Sequence, residues 1–242
     1  MPLLEENLAN YETAWSVREY TREEGLMPIE AALVEEFFPD PGARVLDLGC
    51  GAGRTTAALA DKGFEPIGID LASALLKEAR ARHPQVDFRR MDASRLDFPE
   101  DVFDAAVFSY NGVDCLYPLA ARVMCFREVF RVLKPGGTFL LSSHNLIGSI
   151  WSGGFYYARG YWNALRTLAR QATNPVAFEW FIRYRDRGGT QYLYSAPPSR
   201  TVKQLESVGF QILDVRGASG ERRPRAVRFH EQHVHFAARK PA

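Results

Sequence analysis

Short apolar runs separated by helix-like stretches dominate the middle of this chain. Val45-Leu46-Asp47-Leu48, Ile67-Gly68-Ile69, residues 86–90, Phe103-Asp104-Ala105-Ala106-Val107 and residues 138–142 each read as a buried strand. Between them, residues 54–62, 71–82 and 120–133 read as helices, the last closed by Lys134-Pro135-Gly136-Gly137. Strands alternating with helices in this way predict parallel βαβ units, here over a core of residues 43–143. Ahead of it, residues 1–42 form an expected helical cap. Two helices are predicted within 3–38, because Pro28 suits an early helical position and Ile29, Leu33 and Phe37 recur at helical spacing. Pro39-Asp40-Pro41-Gly42 then breaks the chain. Residues 196–242 carry an expected helix (200–207, stopped by Gly209) and a closing strand pair at 210–215 and 234–239.

The stretch 144–195 is far longer than an ordinary connection, whose median is about 4–6 residues. Aromatic side chains crowd it, including Trp151, Tyr161, Trp162, Trp180, Tyr192 and Tyr194. A helix is expected at 161–171, and a hairpin of 178–185 with 190–194 around Asp186-Arg187-Gly188-Gly189.

Composition narrows the class. A chain of 242 residues can bury a proper core in one α/β domain with additions. Lys and Arg total 30 against 29 Asp and Glu, a formal charge of +1, so no polyelectrolyte partner is implied. Three cysteines, Cys50, Cys115 and Cys125, form no paired framework and point to a reducing compartment. There is no long apolar run and no signal-peptide pattern, so a soluble cytoplasmic protein is expected.

The chemistry concentrates at Val45-Leu46-Asp47-Leu48-Gly49-Cys50-Gly51-Ala52-Gly53. A strand, a glycine turn and a helix opening at Arg54 place free N–H groups and a closely approachable backbone before a ligand. A dinucleotide fingerprint fails, because its third small position falls on Arg54, and no Walker lysine follows. Asp47 would repel a diphosphate but attract an ammonium. S-adenosylmethionine carries both an amine for Asp47, directly or through water, and a carboxylate for the helix end.

This stretch resembles the first motif of class I S-adenosylmethionine-dependent methyltransferases. The resemblance continues, in family order and spacing, through Ile67-Gly68-Ile69-Asp70-Leu71, Met91-Asp92-Ala93, Phe103 to Val107, and Glu128-Val129-Phe130-Arg131-Val132-Leu133-Lys134-Pro135-Gly136-Gly137-Thr138. It implies an α/β three-layer sandwich. A mostly parallel seven-stranded sheet of order 3-2-1-4-5-7-6, with a reversed last strand, carries helices on both faces. N-terminal helices and a lid inserted after the fifth strand complete it. Gly49, Gly51, Gly53 and Arg54 become the cofactor turn. Asp70 suits the ribose hydroxyls, although Asp is also an ordinary helix cap. By resemblance, Leu71 packs on the adenine, Asp92 meets its amino group, and Ala93 offers a backbone N–H. Ser109 and Asn111 contact the methionine part or the acceptor. Tyr20 covers the methionine end, or packs among aromatics.

Ligands bind beyond the carboxyl ends of the strands in such sheets, so the aromatic insertion reads as a lid shaping a pocket for a flat or apolar small molecule. A local minicore or a dimer surface is the other reading, and monomer and homodimer both remain open. Ser142-Ser143-His144-Asn145 falls at the pocket mouth, which makes His144 the expected general base for a hydroxyl acceptor. An imidazole bonded to lid backbone is the bland alternative, and an amine or activated carbon acceptor can do without a base. The Asn-Pro-Pro-Tyr-type signature of nucleobase and glutamine methylation is absent; Ser109-Tyr110-Asn111-Gly112 stands there. Arginines of 221–230 could suggest RNA, as an RNA methyltransferase would, but they are expected in a solvated loop between the last strands. His230, His233 and His235 lack a supporting ligand set, so no metal is expected. A donor-binding protein without catalysis is the alternative from a different class.

Overall fold

In the computed structural model, residues 2–151, 179–185 and 189–242 are described. Three helices open the chain: α1 (Pro2–Tyr11), α2 (Ala14–Tyr20) and α3 (Pro28–Phe37). Two had been expected. The extra break arises because Thr13 takes an extended backbone and its hydroxyl accepts from the Ser16 amide, capping a new helix.

The alternating core follows as β1 (Arg44–Leu48), α4 (Arg54–Asp61), β2 (Glu65–Asp70), α5 (Ser73–Arg82), β3 (Asp87–Arg90), β4 (Phe103–Phe108), α6 (Leu119–Val132) and β5 (Leu133–His144). After β5 come α7 (Leu146–Trp151), the antiparallel hairpin of β6 (Phe181–Arg185) and β7 (Thr190–Tyr194), and a helix at Pro198–Val208 capped by left-handed Gly209. The strands β8 (Gln211–Gly217) and β9 (His233–Arg239) close the sheet. The expected helix at 161–171 and the turn at 186–188 lie outside the described residues.

The main sheet runs β3-β2-β1-β4-β5-β9-β8, parallel except that β9 is antiparallel to both of its neighbours. That is the seven-stranded order implied by the motif series. Alternation along β1 explains why the sheet is covered on both faces. Leu46 and Leu48 point into one core with Phe126 and Val129 of α6, whereas Val45 points into the other with Ile29 and Leu33 of α3.

One expectation is overturned between β8 and β9. The arginine-rich stretch is a helix, Pro224–His230, with Pro224 in its first turn and Val227 only 3% exposed. Proline there removes no needed N–H, and the Asn145 side chain donates to the Val227 and Glu231 carbonyls, tying the helix end beside α7. Arg222 and Arg223 are paired with Glu36 and Glu221 rather than displayed as a free basic stripe. Among the described residues no helix is long and apolar enough to cross a membrane.

Candidate active site

A cavity of about 1330 Å³ opens at the carboxyl ends of β1, β2, β4 and β5. Its floor at one end is the turn after β1. Gly49, Gly51 and Gly53 all take left-handed backbone, at φ of 62°, 55° and 89°, which side chains disfavour. The three differ in purpose. A Cβ at Gly49 would stand 2.5 Å from Phe108, and one at Gly53 would stand 2.8 Å from Phe88. At Gly51 it would meet only Leu75, at 4.0 Å, so the space above that residue is open to a ligand. Gly53 caps α4 and sits off the cavity wall, where it lets the helix close on the sheet.

Asp70 locks this turn. One carboxylate oxygen accepts from the Gly51 amide at 2.8 Å and the other from the Ala72 amide at 2.8 Å. Asp70 thus ties the turn to the residue before α5, whose N-cap is Ala72, and it also lines the cavity. Burial raises its pKa, against the pull of those amides. Leu71, Ala72, Met91 and Ala93 continue the same wall. Asp92 does not join it; its carboxylate accepts from the Ser94 amide and hydroxyl at 2.8 and 2.7 Å.

Asp47 also lies behind the wall. It is 1% exposed, one oxygen accepts from the Thr56 hydroxyl at 2.6 Å, and the other has no partner. Burial pushes its pKa up to about 7.

Arg54, by contrast, reaches the cavity and is fully engaged there. Its guanidinium forks onto Glu30 at 2.7 and 2.9 Å and also donates to the Ser109 hydroxyl and the Gly25 carbonyl. Ser109 donates to Glu30 in turn. Burial works to raise Glu30, but Arg54, Ser109 and the Met27 amide outweigh it and hold the carboxyl below its ordinary range. Glu30 was not foreseen as a site residue. Its local signal was only a capping-box position three residues after Met27.

The N-terminal helices cover this end. Glu12 caps α5 by accepting from the Ser73 and Ala74 amides, and Tyr20 packs against Tyr11 and Tyr110 with ring centroids 5.6 and 6.0 Å apart. Asn111 is left-handed at φ 58°, its backbone N–H donates to the Ser142 hydroxyl, and its side-chain oxygen is buried without a partner.

His144 stands at the opposite part of the wall, where β5 ends, with its side chain 23% exposed. Among the described residues its ring bonds to Asp114: Nδ1 lies 2.7 Å from Asp114 Oδ2. The antiparallel register sets His233 opposite His144 and His235 opposite Ser142, and the His144 and His233 rings meet edge to face at 5.2 Å. Burial lowers the pKa of both β9 histidines, to about 4 for His235. Among the described residues no group of three or more His, Cys, Asp or Glu is arranged to hold a metal.

Residues 45–137 match a family described as a methyltransferase domain. A ubiquinone biosynthesis O-methyltransferase of Xanthomonas campestris pv. campestris is 31% identical over 199 residues, 79% of this chain and 72% of the relative. The chain belongs to the class I S-adenosylmethionine-dependent methyltransferases. A demethylmenaquinone methyltransferase of Renibacterium salmoninarum is 33% identical over 141 residues, 57% of this chain. The chain spans about half the length of the demethylmenaquinone methyltransferases it matches: 56%, 41% and 53% of three of them. In three dimensions a methyltransferase of Methanosarcina mazei superposes with a TM-score of 0.69 at 22% identity, covering 90% of this chain and 99% of the other, a likeness of fold.

The methyltransferase donor fits the residues present. The open space over Gly51, the Asp70 carboxylate in the wall and the unpartnered Asn111 oxygen suit a ligand carrying hydroxyls, an ammonium and a carboxylate. Each Asp70 oxygen accepts one backbone amide and has acceptor capacity beyond it.

Proposed function

We propose that this methyltransferase transfers the methyl group of S-adenosylmethionine to a hydroxyl of a small, flat and largely apolar acceptor, and that His144 accepts the hydroxyl proton. The observation that carries this reading is the placement of His144. It lines the same cavity as the glycine turn, and its Nδ1 is occupied by Asp114, so Nε2 is the nitrogen available to an acceptor. The cavity of about 1330 Å³ exceeds the roughly 300–1,000 Å³ of a site for one drug-sized ligand, which leaves room for donor and acceptor together. The relatives named for quinone biosynthesis support a flat, apolar acceptor.

S-adenosylmethionine, when bound, supplies an activated methyl on a sulfonium. The chain's own work is to bind, align and exclude water. Asp70 takes the ribose hydroxyls and Leu71 with Met91 flanks the base. Gly49, Gly51 and Asn111 hold the amino acid end, while Tyr20 covers it. Ile182, Gln191 and Leu193 of the β6–β7 hairpin close the acceptor side, which supports reading residues 144–195 as a lid. Alignment of oxygen and methyl at about 3–3.5 Å in a dry site is the main source of rate, and the base adds about 10²–10⁴-fold.

Calorimetric titration with S-adenosylhomocysteine tests the donor site. Wild type should bind, and Asp70→Ala should weaken binding by about tenfold or more, about 1.4 kcal/mol. A donor affinity untouched by Asp70→Ala rejects the site. With a quinol or catechol panel as acceptor, His144→Ala should lower turnover by about 10²–10⁴-fold at unchanged donor affinity. Equal turnover rejects the base.

A further inference from the structure

Behind His144 lies a buried ionic cluster that takes no part in the donor site. Asp114 sits in the 3-10 turn Gly112–Cys115 that follows β4. Its carboxylate is fully buried and receives four donors. On Oδ1 these are Arg122 Nη1 and the Ser143 hydroxyl, both at 2.7 Å. On Oδ2 they are the His144 amide and the His144 ring Nδ1, also both at 2.7 Å. Arg122, on α6, is likewise 0% exposed. Its remaining donors reach Gln204, Ser143 and Thr201, and its guanidinium lies over the Tyr194 ring, 4.4 Å from the centroid. Neither Asp114 nor Arg122 lines the cavity.

Burying two charges costs desolvation that their attraction barely repays, so such a pair is weak evidence for stability. Its geometry has a chemical consequence, however. An ionised carboxylate only accepts hydrogen bonds. A ring nitrogen held 2.7 Å from Asp114 must therefore carry a proton, which in the neutral ring leaves the lone pair on Nε2. The second bond to Oδ2, from the His144 amide, fixes the backbone that carries the ring.

We infer that Asp114 is a positioning residue for His144, with Arg122 as its countercharge, and that together they lock the imidazole in its Nδ1–H tautomer with Nε2 turned to a hydroxyl acceptor. This rests on the reading of His144 as the base for a hydroxyl acceptor. The acceptor's oxygen–carbon bond forms as the carbon–sulfur bond breaks, the electron pair of that bond stays on sulfur, and the hydroxyl proton passes to Nε2.

The tautomer is read directly by nitrogen-resolved NMR of the histidine rings in the ligand-free chain at mildly alkaline pH, with His144 assigned by loss of its signals in His144→Gln. The expected wild-type signature is a protonated Nδ1 and a bare Nε2. In Asp114→Asn it should reverse or mix. There kcat on a catechol probe should fall by about 10²–10⁴-fold with little change in KM, and S-adenosylhomocysteine affinity should stay within about threefold, roughly 0.6 kcal/mol. A wild-type ring protonated on Nε2 overturns the proposal without any variant. So does a variant that loses donor affinity and kcat together, as a merely structural acid would. Failure of S-adenosylhomocysteine to bind wild type would instead count against the donor site, whatever the tautomer.

Discussion

Asp47→Asn removes a carboxyl that the fold holds against its ordinary chemistry. Burial raises its pKa from 3.8 to about 7; the Thr56 hydroxyl and the charge of Arg54 pull the other way, and Glu30 and Asp70 add to the rise. A folded-state pKa above the unfolded one means that folding favours the protonated acid. The stabilisation is fully present below the unfolded value and is lost as pH rises towards the folded one. A rise of about three units corresponds to about 4 kcal/mol, and local relaxation and water entry reduce the usable part to about 2–3 kcal/mol. Because the side chain is 1% exposed, solvent screening takes little more. Asparagine cannot ionise, and its carbonyl oxygen can still accept from Thr56. The variant should therefore match wild type near about pH 4 and exceed it by about 2–3 kcal/mol near about pH 8. Urea unfolding of the ligand-free chain across that range measures the difference. A stability difference independent of pH, or a variant weaker than wild type at the alkaline end, refutes the argument. An ammonium bound above the glycine turn favours ionised Asp47. Binding of S-adenosylhomocysteine near neutral pH should then release a fraction of a proton from wild type and none from the variant, as read by calorimetry in buffers of different ionisation enthalpy.

Two further outcomes follow from the same structure. Burial lowers the His235 pKa from 6.5 to about 4, helped by His233 and Arg216 and opposed by Glu30 and Glu231. Folding therefore favours the neutral ring, and stability present above the unfolded value falls by about 2–3 kcal/mol as pH drops from 6.5 towards 4. His235→Gln should remove that part of the acid loss in thermal melts, and an unchanged acid limb would exclude it. In α1, the Asn7 amide donates to the Tyr192 carbonyl and accepts from the Tyr192 amide, both at 2.8 Å, clamping the β6–β7 hairpin to the helical cap. Asn7→Ala leaves both buried backbone groups unpaired at a cost of about 1–3 kcal/mol. Faster hydrogen exchange at the Tyr192 amide should report it, and unaltered protection would show that the hairpin is held elsewhere.

What could be read along the chain was local in origin. Apolar runs of strand length, glycines flanking Asp47 and Asp70, and a cap or stop at Gly53 and Gly209 are features of a few neighbouring residues, and they located the βαβ core and the donor turn. Local reading also had local failures. Thr13 divides a segment that periodicity alone joins, and Pro224 opens a helix in a stretch whose charge reads as loop. Periodicity tells which face of a strand a side chain takes, but not which strand lies beside it. Only the antiparallel insertion of β9 next to β5 brings His233 to His144 across some ninety positions. Only the closing of α3 against α4 gives Arg54 to Glu30 instead of leaving it for a ligand. Asp47 and Asp92 illustrate the same limit: the motif places both acids at strand ends, while burial behind Thr56 and a bond to Ser94 take their carboxylates off the cavity wall. The chain itself specifies a nucleotide-type turn with an acid beside it. Tertiary packing decides which carboxylate faces the ligand, because hydrogen bonding and desolvation act between elements that are distant in sequence.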